Sequence, residues 1–419
     1  MTEADRLNAL LEREAPAVAR CLSPLGRAAA FPKGITWMGE QARGCAVDAT
    51  LGQTTDGSGR PIPVPVIQAG LVDTDPAISF LYGPVQGPLG VRQAWLERQR
   101  RHAGNPTSTV ATPCATHGLT HSLSVVSSLF ADPDTTVLVP DPAWDSYGLI
   151  FGMHAGARMR PWSTHRNGRF DIGGLSDALA QTPGKAILIL NFPANPSGYT
   201  PSLAETAAIV ERVAAHPGPL VVVTDDAYQG WIYAPGRMRR SIYWDLVERL
   251  DPTRAFAIKV DGATKELVFF ASRVGFVTPG LGGEAAEALE SKIKMVLRGT
   301  VGSPSGPALA LIARALADAE GTDRAFAQRV AILGERWAAL KEGLGRLEDR
   351  ADVWEFNSAF FALLHLRGAD AEATRARLLR DQGVGTIAFA GHGALRIAFC
   401  AIHRDAIGDL CDRLARGLT

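Results

Sequence analysis

Short, almost wholly apolar runs punctuate the middle of the chain: "TTVLVPDP" (135–142), "AILILNFP" (186–193), "LVVVTDDAY" (220–228), "FAIKVDGATK" (256–265) and "RVGFVTP" (273–279). Most are rich in β-branched residues, and each ends in polar or turn-forming groups. Strands this continuously apolar are buried on both faces, which is the habit of a parallel sheet. The stretches between them repeat apolar residues at i, i+3 and i+4, as in "LTHSLSVVSSLF" (119–130) and "SLAETAAIVERVAAH" (202–216), and predict amphipathic helices. Alternating strand and helix predicts a doubly wound, mostly parallel α/β domain with its ligands at the carboxyl ends of the strands.

From about Pro304 the pattern changes. The stretch 306–347 reads as helical almost throughout. "ADVWEFNSAFFALLHL" then reads as a strand, "AEATRARLLRDQG" as a helix, "GALRIAFC" as a strand and "RDAIGDLCDRLARGL" as a closing helix. The predicted organisation is a large domain over 61–310, a small α+β domain over 311–419, and an N-terminal segment, 1–60, packed with the small domain.

Composition narrows the function classes. With 46% hydrophobic residues in 419, the chain can bury a sizeable core. Its 43 basic residues balance 43 acidic ones, so charge makes no case for nucleic acid or an anionic membrane as partner. No apolar run reaches the roughly 18 residues of a spanning helix. The start, "MTEADRLNALLEREAPAVARCL", is acidic and amphipathic, unlike a signal or transit peptide, so a cytoplasmic location is expected. Five scattered cysteines without C-x-x-C spacing read as reduced thiols, not a disulfide frame or a metal site.

The chemistry gathers where the strands end. "LNFPANPSGY" (190–199) closes one strand with a turn so rich in Pro and Gly that the asparagine inside it, Asn195, must be held rigidly. Asp225, Asp226 and Tyr228 close the next strand, Lys265 the third, and Arg273 opens the fourth. In a parallel sheet these ends lie side by side. A lysine withdrawn from water loses its proton more easily and becomes a nucleophile for carbonyls. An aspartate beside it can pair with a protonated ring nitrogen. Together they match what pyridoxal phosphate requires of a protein.

The order "NPSG", "DDAY" and "TKELVFFASRVGF" resembles the aspartate aminotransferase family of fold-type I pyridoxal phosphate enzymes, in which an arginine follows the lysine by eight residues, as Arg273 follows Lys265. The similarity runs from about residue 45 to 400. It implies that Lys265 is catalytic, holding pyridoxal 5'-phosphate as a Schiff base and then moving the proton at the substrate's α-carbon. It implies that Asp225 keeps the ring nitrogen protonated, that Asn195 and Tyr228 bond the phenolic oxygen, and that Trp144 in "PDPAWDSY" stacks on the ring. "THGLTHSL" (116–123) resembles the family's phosphate turn, so Leu119, Thr120 and Arg273 are expected on the phosphate. Tyr82 in "YGPVQG" resembles the tyrosine that reaches the neighbouring subunit's phosphate, which implies a homodimer with shared sites.

Among substrate-binding positions, Arg396 in "ALRIAFC" matches the arginine that clamps the α-carboxylate, and Gly52 the backbone that lines the pocket. Arg298 matches the arginine that crosses the dimer to a side-chain carboxylate, although "RGTVGSPS" departs from the usual pattern there. A second departure is Gly262, where the family often has serine: either Thr264 replaces that hydroxyl or the phosphate is held less tightly. The implied reaction transfers the amino group of an L-amino acid, acidic or aromatic, to a 2-oxo acid such as 2-oxoglutarate. A lyase or decarboxylase on the same scaffold is the alternative. A non-catalytic regulator would need a winged-helix module ahead of "VDATLG", and because that segment begins at residue 47 no such module is expected. Asp226 reads as structural, His117 and His121 as solvated, and "GHG" (391–393) as a tight turn without a metal.

Overall fold

The five apolar runs become strands of one seven-stranded sheet in the computed structural model, which describes residues 1–14, 16–30, 34–50, 52–74, 81–347 and 349–418. Ala15 and Leu51, which fall in stretches assigned above, lie outside the described residues. The strands are β1 (Cys114–Thr116), β2 (Thr136–Asp141), β3 (Arg158–Ser163), β4 (Ala186–Asn191), β5 (Leu220–Asp225), β6 (Ala255–Gly262) and β7 (Gly275–Pro279). They lie in the order β1-β7-β6-β5-β4-β2-β3. From β6 to β3 all neighbours are parallel, whereas β7 runs antiparallel to both β6 and β1.

Alternation along each central strand serves two cores at once, because successive side chains point to opposite faces. Ile187 and Ile189 of β4 join one core with Val223 and Ile258, while Leu188 and Leu190 join the other with Val222 and Ala257. Both faces are therefore dry, which is why these runs are almost wholly apolar; the polar pair of β6, Lys259 and Asp261, is buried and bonded to itself. Strands β1 and β3 gave no such pattern. One has three residues, and the other, "RMRPWS", is an edge strand with partly exposed polar positions and a proline.

Chain order reverses between β2, which leads outward to β3, and β4, from which the chain winds back through β5 and β6. Loops leaving β2 and β4 diverge there and open a crevice at the carboxyl edge. Trp144 follows β2 and Asn195 follows β4.

A second sheet joins β8 (Ala351–Val353), β9 (Phe361–Leu366), β10 (Ile387–Phe389) and β11 (Ala394–Ala398) in the order β8-β9-β11-β10, all antiparallel. The run read as one strand at 351–366 divides in two. Between its halves the backbone N–H groups of Asn357 and Ser358 both donate to the carbonyl of Gly198, at 2.8 and 2.9 Å, in the turn after β4. Gly198 has φ +71°, and a Cβ there would fall 2.0 Å from the carbonyl oxygen of Phe361. Only glycine permits this approach. Val47–Asp48 pairs in parallel with Val384–Gly385, and Ala398 N–H donates to Ala49 O at 2.8 Å. The long helical stretch is two helices, Gly306–Ala317 and Ala319–Gly345. Leu309 and Ile312 of the first share a core with Trp95 and Phe276.

A buried ionic cluster lies behind the sheet's carboxyl edge. Lys259 Nζ is 3.1 Å from Asp226 and bonds Asp261. Ser241 donates to Asp226 at 2.6 Å and Trp95 Nε1 to Asp261 at 3.0 Å. Burial alone would discharge Lys259, but the two carboxylates outweigh it and hold its pKa above the ordinary lysine value. Burial raises Asp226 to about 6 despite Lys259. Changing Lys259→Met is therefore expected to strand two carboxylates and to cost about 3–5 kcal/mol in urea unfolding. A loss below about 1 kcal/mol would contradict the pairing.

Candidate active site

A cavity of about 220 Å³ lies at the carboxyl edge of the large sheet. Its lining includes Leu119, Thr120, Trp144, Asn195, Asp225, Tyr228, Lys265 and Arg273, and also Tyr147, Asn191, Ala227 and Thr264. The reversal of β7 explains the meeting of two cations from neighbouring positions. Strand β6 ends at this edge and delivers Lys265 on the short helix Ala263–Glu266. Because β7 runs the other way, it starts at the same edge, and Arg273 just before it returns to the same cavity.

Arg273 takes the left-handed conformation, φ +49°, which turns its guanidinium toward the start of the helix Leu119–Phe130. The residue preceding that helix is Gly118, at φ +83°. A Cβ on it would lie 2.8 Å from Arg273 Nη2, so glycine allows the guanidinium to sit against the helix N-terminus. Free N–H groups of a first turn plus a guanidinium form an anion cup. Thr264 Oγ1 is buried in the lining and has no hydrogen-bond partner among the described residues. At Gly262 a Cβ would meet the carbonyl oxygen of Val274 at 2.4 Å, which leaves no space for serine.

Asp225, the last residue of β5, is buried. Tyr147 Oη donates to its Oδ2 at 2.6 Å, and Ala227 N–H to its Oδ1 at 3.2 Å. Burial raises its pKa, while the Tyr147 hydrogen bond and the charge on Lys265 pull the other way. Lys265 moves in the opposite direction. Burial lowers it to about 8; Asp225 resists that fall and Arg273 adds to it. Its Nζ lies 5.0 Å from the centre of the Tyr228 ring, and burial pushes the Tyr228 hydroxyl above the ordinary tyrosine value.

The turn "NPSG" is braced from three sides. Asn191 accepts from Asn195 N–H at 2.8 Å and donates to the Asp225 carbonyl at 2.9 Å. Asn195 Oδ1 accepts from Arg396 Nη1 at 2.9 Å. Arg396, in β11 of the second sheet, also donates to the Thr50 carbonyl at 2.8 Å and lies 4.3 Å from the Phe361 ring centre. Burial lowers its pKa to about 10, and its Nε has no partner among the described residues. Gly52 closes the same corner: a Cβ there would lie 2.7 Å from the Phe361 ring and 3.8 Å from the Tyr228 hydroxyl.

Tyr82 and Arg298 are not brought into this cavity by their own chain; both are exposed. Tyr147 and Asn191 were missed by motif reading. Tyr147 stands three residues after Trp144, and the two rings meet edge to face at 5.5 Å. That spacing was the available signal. Among the described residues there is no cluster of three or more metal-ligating side chains, and no helix is long and apolar enough to cross a membrane.

An open α/β sheet with a lysine, an aspartate and an anion cup at its carboxyl edge defines a cofactor-binding enzyme scaffold. The chain belongs to the aminotransferase class I and II family, which it matches over residues 50–414 and whose members use pyridoxal phosphate. Its fold is that of the fold-type I enzymes of that family. It is 25% identical over 364 residues to the arginine–pyruvate transaminase AruH of Pseudomonas aeruginosa, covering 84% of this chain and 86% of that one. It is 33% identical over 158 residues to a probable N-succinyldiaminopimelate aminotransferase, DapC, of Mycobacterium tuberculosis, a match spanning 37% of this chain and 39% of that relative. An aminotransferase from Anaerococcus prevotii shares the fold with a TM-score of 0.83 at 17% identity, over 94% of this chain and 98% of that one.

The residues present fit pyridoxal phosphate. The anion cup suits its phosphate, the unpartnered Thr264 hydroxyl and Gly118 leave space and a donor there, and Asp225 faces the cavity as an acceptor for a ring N–H. Because Lys265 discharges near pH 8 rather than near ~10.4, trapping of pyridoxal on the cofactor-free protein with borohydride should rise as pH passes through about 8. Peptide mapping checks that Lys265 carries the label; a midpoint two units higher would overturn the argument from burial.

Proposed function

We propose that this chain is a cytoplasmic pyridoxal phosphate-dependent aminotransferase that moves the amino group of an L-amino acid, acidic or aromatic, to a 2-oxo acid such as 2-oxoglutarate. The carrying observation is the convergence of Lys265, Asp225 and Arg273 on one cavity, with Arg396 bonded to its wall. When bound, the cofactor supplies an electron-accepting ring joined to the substrate nitrogen, which stabilises negative charge at the α-carbon.

The chain's own residues supply the rest. Lys265 would hold the cofactor through its amine, and that amine, when free, would take and return the proton at the substrate's α-carbon. Asp225 accepts from the ring N–H. Asn195 and Tyr228 would bond the phenolic oxygen, and Trp144 would stack on the ring. Leu119, Thr120 and Arg273 bind the phosphate, with Thr264 supplying a hydroxyl where Gly262 has none. Arg396 takes the α-carboxylate, and Gly52 leaves the substrate space against Phe361.

The same reading makes the active form a homodimer, in which Tyr82 and Arg298 serve the partner's site. Exposed apolar side chains support it: Leu81 and Leu89 flank Tyr82, and Met295 and Val301 flank Arg298.

The test is the visible spectrum of the loaded protein while single L-amino acids are added without an oxo acid. Conversion of the lysine-linked absorbance to that of pyridoxamine phosphate by one amino acid is expected. Return of the original absorbance, with pyruvate, ammonia or carbon dioxide released, would instead establish a lyase or decarboxylase. In sedimentation the protein should run as a dimer. Arg298→Ala should raise KM for acidic donors by about 10-fold or more and leave aromatic donors nearly unchanged; equal effects on both would remove Arg298 from substrate recognition.

A further inference from the structure

Tyr147 belongs to no motif, yet it makes the shortest hydrogen bond to the carboxylate at the centre of the cavity. Its hydroxyl donates to Asp225 Oδ2 at 2.6 Å, the length of a charge-assisted O–H bond to an ionised acceptor. The ring is buried in the main core with Leu123, Ile150 and Phe151, and it meets Trp144 edge to face. The donor is therefore fixed from both ends, by packing on one side and by the strand end on the other.

The other supports of the Asp225 charge are weaker. Ala227 N–H reaches Oδ1 at 3.2 Å. Lys265 favours the charged carboxylate, but its own ammonium is discharged near pH 8. Lys259 lies on the next strand and is engaged with Asp226 and Asp261. Burial and the neighbouring carboxylate raise the pKa of Tyr147 well above the ordinary tyrosine value, so its O–H remains a donor across the pH range of the folded protein.

We propose that Tyr147 is a positioning residue: its hydroxyl keeps Asp225 ionised and in one orientation, and through Asp225 it sets the protonation of the cofactor's ring nitrogen. The proposal rests on the pyridoxal phosphate reading above. It adds a residue that does not touch the cofactor chemistry directly but controls the acceptor that does.

The variant is Tyr147→Phe, which removes one oxygen from a packed ring. Three readouts separate a positioning role from a structural one. In the cofactor-free protein, the carboxyl carbon of Asp225, assigned by comparison with Asp225→Asn, should titrate about one to two units higher in the variant. In the loaded protein, the ring nitrogen of labelled cofactor should move in nitrogen NMR from the pyridinium position toward the neutral pyridine position. The half-reaction with an amino acid should slow by about 10- to 100-fold, with the thermal midpoint changed little. A fluorinated tyrosine at position 147, a stronger donor in the same volume, should move the Asp225 titration the opposite way.

An unchanged Asp225 titration in Tyr147→Phe overturns the proposal, as does a ring nitrogen that remains fully protonated at unchanged rate. If the unaltered protein binds no cofactor, the function proposed above fails. The titration of Asp225 in the cofactor-free protein still decides whether Tyr147 controls that carboxylate.

Discussion

Charge withdrawn from water is the constraint around which this cavity is built. Asp225 ends a strand whose two faces are both covered, so solvent cannot stabilise its carboxylate. A lone ionised carboxylate in such a place would simply take up a proton. The surrounding structure supplies replacements for water: the Tyr147 hydroxyl, the Ala227 amide and the nearby Lys265. The same dryness lowers Lys265 and Arg396, each opposed by an anionic or polar neighbour. One physical condition thus produces both a carboxylate that needs a cationic partner and an amine that gives up its proton easily.

The scaffold turns that condition into geometry through the direction of its strands. Parallel strands bring Asn195, Asp225 and Lys265 to one edge, and the single antiparallel strand returns Arg273 to it. A second set of contacts joins the small sheet to this edge. Gly198 receives two amides from the segment between β8 and β9, and Arg396 of β11 bonds Asn195. Movement of the small sheet would therefore be transmitted to the turn that holds Asn195. The buried cluster around Lys259 braces the same edge from behind, because its member Asp226 directly follows Asp225.

The parts readable without coordinates were those in which local chemistry and pattern agree. Continuous apolar runs announced β2, β4, β5, β6 and β7, since burial on both faces leaves no other pattern. The helix Leu119–Phe130 began and ended where its periodicity did. Motif spacing named Lys265, Asp225, Tyr228 and Arg273, all of which line the cavity. Strand β3 was illegible because an edge strand keeps exposed polar positions, and the run at 351–366 concealed a break made by long-range bonds to Gly198. Tyr147 carried no signal beyond its distance from Trp144, because a tyrosine in a core and a tyrosine on a carboxylate are the same letter.

The amino-acid order alone determined which segments would be strands or helices and which reactive groups would stand at their ends. Those properties depend on neighbours within a few residues. Tertiary structure alone decided that β7 would run backwards, that Gly198 would lie against Phe361, that Arg396 would reach across to Asn195, and that Tyr147 would meet Asp225. Each of these joins residues far apart in the chain or positions a side chain by packing, so its energy exists only once the two sheets and their helices have excluded water between them.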